Sequence, residues 1–216
     1  MKQTLDQVNS YLRQEPRLFD VVFDLGGVLL TWKPHQLIKR LFKDREIQKM
    51  VMDEIICHPD WLELDRGTLD KEMAIERAAV RTGLDVSKIK KLMDLVPYSL
   101  IPIPDTLELI RSVKKNGNRV FVLSNMHIDS ITFIEQKYPI WDVFDGMVIS
   151  SRIQMVKPEL AIYRHLLEKF DLAIDKTIFI DDVSENLEVA STLGMRIIRF
   201  VNSSQCEKEL KAIGCI

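Results

Sequence analysis

Five short runs of β-branched and aromatic residues punctuate the chain: "FDVVFD" (19–24), "RVFVLSN" (119–125), "GMVIS" (146–150), "TIFIDD" (177–182) and "MRIIRF" (195–200). None alternates cleanly between apolar and polar positions. Continuous apolar runs of this length predict strands of a parallel sheet covered on both faces, where neither side of a strand meets water. Segments of helical period separate most of them. "PDTLELIRSVKKNG" ends with Gly117 at the position after a helix that favours a left-handed backbone, "KPELAIYRHLLEKF" starts with Pro158 near its first turn, and "SENLEVASTLG" closes at Gly194. Strands and helices alternating in this way predict an α/β fold, a Rossmann-like, doubly wound parallel sheet with right-handed crossovers.

The interval from about Pro34 to Pro97 breaks the alternation. "HQLIKRLF", "EIQKMVMDEIIC", "LDKEMAIERAAVRTG" and "VSKIKKLMDLV" carry helical patterns, with no convincing strand among them. The expected organisation is an N-terminal arm or helix over 1–18, a core over 19–33 and 98–216, and an all-helical insertion over 34–97 after the first strand. Within the insertion "HPDWLELDRGTLD" is the least helix-like stretch, with Thr68 the expected N-cap of the helix that follows. The proline-rich "VPYSLIPIPD" returns the chain to the core, and its fixed φ angles stiffen that connection.

Composition adds exclusions. With 216 residues, 46% hydrophobic and 29% charged, the chain can bury a sizeable core, and a formal net charge of −2 gives no reason to expect a nucleic-acid partner. Three cysteines (Cys57, Cys206, Cys215) without C-x-x-C spacing suggest neither a disulfide framework nor a zinc knuckle. No apolar run approaches the ~18–20 residues that span a bilayer. The opening "MKQTLDQVNSYLRQEPRLF" lacks the apolar region of a secretory signal. The expectation is a cytoplasmic protein with reduced thiols, no membrane partner, and a monomeric or weakly homodimeric state.

In open α/β sheets ligands bind beyond the carboxyl ends of the strands. The residues there are Asp24, Ser124 with Asn125, Lys157 in the loop after the third strand, and Asp181 with Asp182. Each has a bland reading taken alone: a turn-forming aspartate before Gly26 and Gly27, a helix cap, a solvated surface lysine, a capping-box spacing from Asp182 to Glu185. Together they place at one crevice four groups that phosphoryl transfer can use.

"FDLGGVLL", "VLSN", "VKPE" and "FIDDVSEN" resemble, in order and context, the four motifs of the haloacid dehalogenase (HAD) superfamily of hydrolases. The insertion is similar to the small helical cap of that superfamily. "DLGGV", "DRGTLD", "LSNMH" and "MVKPELAIYRHLLE" look closest to the branch of bacterial α-glucose-1-phosphate phosphatase and the phosphatase domain of soluble epoxide hydrolase. The resemblance implies a Mg²⁺-dependent phosphatase acting on a small phosphorylated metabolite, a sugar phosphate being the first expectation. It makes Asp24 the nucleophile that forms an aspartyl-phosphate, and assigns Mg²⁺ to Asp24, the backbone carbonyl of Gly26, and Asp182. Asp181 would support the site beside Asp182, and Asn186 would orient it by hydrogen bonding. Ser124 and Asn125 would donate to phosphoryl oxygens, and Lys157 would stabilise transition-state charge. Trp61 and Arg66 of the insertion become candidate contacts to the leaving group.

One position departs from the commonest phosphatase pattern. Where an aspartate two residues after the nucleophile would protonate the leaving oxygen, this chain has Gly26. General acid–base catalysis contributes about 10²–10⁴ in rate, so a good leaving group, an acid from the cap, or a water must take over. The rival expectations are a 2-haloacid dehalogenase, which Gly26 and the Asp181–Asp182 pair fit poorly, and a weakened fold retained as a binding module.

Overall fold

The computed structural model describes residues 18–216, so the expected N-terminal arm lies, apart from Leu18, outside the described residues. Five strands form one parallel sheet: β1 (Asp20–Phe23), β2 (Arg119–Ser124), β3 (Gly146–Ile149), β4 (Thr177–Asp181) and β5 (Arg196–Arg199). Their order is β3-β2-β1-β4-β5. Each falls within one of the five apolar runs. Helices cover both faces, as burial on both sides requires. On one face Val21, Phe23, Val122 and Ile180 pack with residues of Pro104–Lys115, Ile128–Lys137 and Ser203–Ile213. On the other, Val22, Phe121 and Phe179 pack with Leu160–Phe170 and Ser184–Thr192.

Residues 34–99 are helical throughout their regular elements: α1 (Pro34–Leu41), α2 (Arg45–Val51) running into a wide turn at Met52–Ile56, α3 (Pro59–Arg66), α4 (Lys71–Thr82) and α5 (Val86–Ser99). They close around an apolar core of their own that includes Ile38, Val51, Ala78, Ile89 and Leu92. Trp32 packs partly against this core and partly against the sheet's.

Three local expectations change. The stretch expected to be least helical forms α3, capped by the His58 side chain accepting from Asp60 N, with Pro59 at its first position and Gly67 (φ +80°) at its end. The helix after it is capped by Asp70, which accepts from Met73 N at 2.7 Å, while Thr68 donates to the Glu63 side chain. Helix α5 continues through Pro97, which sits in the last turn and leaves that turn one N–H bond short.

Two connections join the helical insert to the sheet, and they are bonded to each other. Thr31 N donates to Ile101 O at 2.9 Å, Ile103 N to Leu29 O at 2.8 Å, and Thr31 Oγ1 to Ser99 O at 2.7 Å.

Candidate active site

Parallel register levels β1 with β4, Phe23 opposite Ile180, so the next residue on each strand, Asp24 and Asp181, emerges side by side at the carboxyl edge. Asp24 N is tied to Ile180 O at 2.9 Å. The lysine after β3 reaches under both: Lys157 Nζ lies 2.9 Å from Asp24 Oδ1 and 2.7 Å from Asp181 Oδ2. It is 2% exposed and sits 5.6 Å over the Phe179 ring. The bland surface reading of this lysine does not apply. Its backbone is held too, because Asn125 accepts from Lys157 N at 2.8 Å and donates through Nδ2 to Lys157 O at 2.9 Å.

Asp181 is fully buried, and its two oxygens take hydrogen bonds from Val183 N, Lys157 Nζ and Asn186 Nδ2. No side-chain donor bonds to Asp182 among the described residues. Its carboxylate packs on Gly27, where an added Cβ would stand 2.3 Å from Asp182 Oδ2, and Gly27 adopts φ +78°. Only glycine meets both demands. Asp182 therefore has no capping role; the helix after β4 begins from Val183, whose N–H the Asp181 side chain accepts.

One oxygen from each of Asp24, Asp181 and Asp182 lies within 4.8 Å of the others. Burial pushes the Asp24 carboxyl up to about 7, with Lys157 opposing and Asp181 adding to the rise. Burial and the charge of Asp181 raise Asp182 as well. Burial works against the Lys157 ammonium, but Asp24 and Asp181 outweigh it and hold its pKa above the ordinary value. Three crowded carboxylates on one ammonium are short of positive charge, and an all-oxygen donor set suits a hard divalent cation. The residues present therefore fit such an ion.

Ser124 ends β2 beside β1 and is buried, its hydroxyl making, among the described residues, only a long 3.5 Å contact to Asn125 O. The next helix starts at Ile128 with His127 at its cap position, so Ser124 and Asn125 lie ahead of that terminus.

Beside Gly26 a small cleft of about 80 Å³, open to solvent, runs between sheet and insert. Trp32, Trp61, Val96, Leu100 and Met126 give it an apolar wall; Asp65, Asn125, His127 and Ser130 are its polar side chains. The Trp61 ring lies 4.4 Å from that of His127 and 5.8 Å from that of Trp32 by centroids, tilted to both. Arg66 does not line this cleft. Its guanidinium pairs in two bonds, 2.8 and 2.7 Å, with Glu159 in the loop after Lys157, and its Nε with Glu63. Arg66, expected as a leaving-group contact, is found joining insert to core.

A scan of family models matches residues 21–200 to the haloacid dehalogenase-like hydrolases. The chain belongs to this family. This HAD hydrolase has relatives that it matches over nearly their whole length. It is 28% identical over 195 residues to a sesquiterpene phosphatase of Aspergillus oryzae, covering 90% of this chain and 96% of that protein. It is 21% identical over 206 residues to a D-ribitol-5-phosphate phosphatase of Bacteroides thetaiotaomicron, covering 90% and 97%. Among solved structures, a HAD family enzyme of Bacteroides thetaiotaomicron in complex with magnesium and inorganic phosphate superposes with a TM-score of 0.64 at 22% identity, over 84% of this chain and 93% of that one. Among the described residues no helix is long and apolar enough to cross a membrane.

An irregular stretch at 58–67 would hide Asp65. Trp61 and Asp65 are four residues apart, which on a helix puts both on one face. Arg66 is rotated away from it. The flanking His58-Pro59 start and Gly67 stop are the available signals.

Proposed function

We propose that this hydrolase is a Mg²⁺-dependent phosphatase that cleaves a small phosphomonoester through an aspartyl-phosphate at Asp24. The observation that carries the reading is the buried cluster of Asp24, Lys157, Asp181 and Asp182 at the carboxyl edge of the sheet. Asp24 Oδ attacks phosphorus while the bond to the alcohol oxygen breaks; water then attacks the acyl phosphate, releasing phosphate and restoring the carboxylate. Asp24, Asp182 and the Gly26 carbonyl would hold Mg²⁺, which when bound offsets the repulsion between carboxylate and phosphate dianion. Lys157 opposes the burial that raises Asp24, so favouring its ionised form, and meets the phosphoryl charge; Ser124, whose hydroxyl makes among the described residues only a long 3.5 Å contact, donates to the phosphoryl group. Asn125 holds Lys157 in place, and Asp181 with Asn186 fixes the ammonium from the other side. The helical insert serves as the cap that shields this chemistry from water.

The substrate body we infer is apolar, not a sugar. Against two tryptophans, Val96, Leu100 and Met126 a hydrocarbon gains about 25 cal/mol per Å² buried. The near-full-length relative named as a sesquiterpene phosphatase supports this choice. Free cysteines at 57, 206 and 215 fit a reducing, cytoplasmic setting.

The test is phosphate release from a C15 isoprenoid monophosphate and from sugar and polyol phosphates, with and without EDTA, beside Asp24→Asn. EDTA-sensitive hydrolysis that favours the isoprenoid ester and vanishes in the variant is expected. Preference for sugar phosphates overturns the substrate class; halide release from a 2-haloacid, or no turnover on any ester, overturns the phosphatase.

A further inference from the structure

A phosphatase with glycine two residues after its nucleophile lacks the usual proton donor, and the reason is not steric. A Cβ at Gly26 would meet nothing closer than Trp32 Cβ at 3.9 Å, and Gly26 has no positive φ to protect. The space beside it belongs to the cleft, and one carboxyl of the helical insert lines that cleft with it: Asp65, on the last turn of α3. We propose that Asp65 is the general acid and base of this hydrolase, supplied by the cap in place of the acid absent at residue 26.

Three consecutive residues fix the carboxyl where it must be. The Asp65 carbonyl accepts from Ser150 Oγ at 2.5 Å, and Ser150 Oγ in turn accepts from Met126 N at 2.9 Å, joining the cap to the ends of β2 and β3. Arg66 clamps Glu159 with two bonds, two residues beyond Lys157. Gly67 packs so closely that a Cβ there would stand 2.6 Å from Ser151 O. A cap residue held by such neighbours has the placement precision of a core residue, which acid–base catalysis needs.

The carboxyl itself is not consumed by these contacts. No side chain hydrogen-bonds to it among the described residues; His127 Nε2 approaches Oδ1 to 3.2 Å but lacks hydrogen-bond alignment and stays unpartnered. The Asp65 side chain is 14% exposed, and burial followed by the charge of Asp24 pushes it up to about 8, Lys157 and the His127 backbone opposing. At neutral pH it carries a proton to give. Burial also lowers His127 to about 4, so that neighbour stays neutral and does not strip the proton.

The proton balance closes over one turnover. As the phosphorus–oxygen bond breaks, Asp65 O–H protonates the departing alkoxide; the resulting carboxylate then takes a proton from the water that attacks the aspartyl-phosphate, regenerating the acid. An unactivated alkyl alcohol, such as the proposed isoprenoid, is a leaving group that requires this help.

The inference rests on the phosphatase reading, and the experiment separates the two. Wild type, Asp65→Asn and Asp65→Asn/Gly26→Asp are compared on an alkyl monophosphate and on p-nitrophenyl phosphate, whose leaving group departs without protonation. Asp65→Asn should lose about 10²–10⁴-fold on the alkyl ester and far less in formation of the phosphoenzyme from the nitrophenyl ester. The carboxyl introduced at position 26 in the double variant should recover part of the alkyl activity. Equal losses on both esters with no recovery would show a structural role and overturn the inference. If Asp65→Asn does not fold, Ser150→Ala, which cuts the tether and leaves the carboxyl, must show the same leaving-group bias; an unbiased loss overturns the inference equally. Wild type inactive on both esters would instead defeat the phosphatase reading.

Discussion

Replacing Lys157 by methionine keeps most of the aliphatic stem over Phe179 and removes the one ammonium that two buried carboxylates share. Stranding buried charge by deleting its partner costs about 3–5 kcal/mol. In a domain of this size each kcal/mol lowers Tm by about 2–4 °C, so a fall of about 6–20 °C at pH 8 in EDTA is expected. The fall must depend on pH. Asp24 already rises from 3.8 to about 7 on folding. A carboxyl raised in this way favours the fold fully below 3.8, and that advantage is lost as pH rises through about 7. Without the ammonium Asp24 rises further, so the deficit against wild type is largest above about pH 7 and shrinks as pH falls toward about 4, where Asp24 is neutral in both proteins. Thermal melts of the two proteins in EDTA from about pH 4 to 8.5 measure it. A deficit that is constant across that range would assign the loss to packing and refute the electrostatic account of the cluster.

Further predictions concern the same architecture. Gly27→Ala places a methyl against Asp182 and a side chain at φ +78°, so it should weaken Mg²⁺ binding at least about tenfold by calorimetry while the fold, judged by circular dichroism, persists. Arg66→Ala and Glu159→Ala should each reduce stability modestly, with a coupling of about 0.5–1 kcal/mol in a double-mutant cycle, because Glu159 is half exposed. His127, lowered to about 4 by burial, should show no imidazole titration by NMR between about pH 5.5 and 8. Its neutral form favours the fold above its ordinary 6.5, an advantage lost as pH falls through about 4.

The strands and the residues that follow them are legible because burial on both faces writes continuous apolar runs, and a parallel sheet collects their ends at one edge. Asp24, Ser124, Lys157 and Asp181 can thus be grouped from the sequence. The partners of each cannot. Nothing in the spacing distinguishes Asn125 donating to a phosphate from Asn125 gripping the Lys157 backbone, since the second depends on a loop 32 residues away. The cap is harder. Its helices pack on one another and carry their own core, so apolar period locates the helices and leaves open which face meets the sheet. A one-residue choice between Asp65 and Arg66 turns on whether eight residues, Pro59–Arg66, form a helix. Weak periodicity in so short a segment argues against one, and the caps at His58 and Gly67 decide for it.

Hydrolysis through Asp24 passes through a covalent phosphoryl group on that residue. Rapid quenching during turnover of a C15 isoprenoid monophosphate, followed by peptide mass spectrometry, reads it directly. One phosphoryl adduct on the peptide containing Asp24, absent in Asp24→Asn and in EDTA, is expected. Steady turnover of the ester with no adduct on that peptide, or an adduct on another residue, would contradict it.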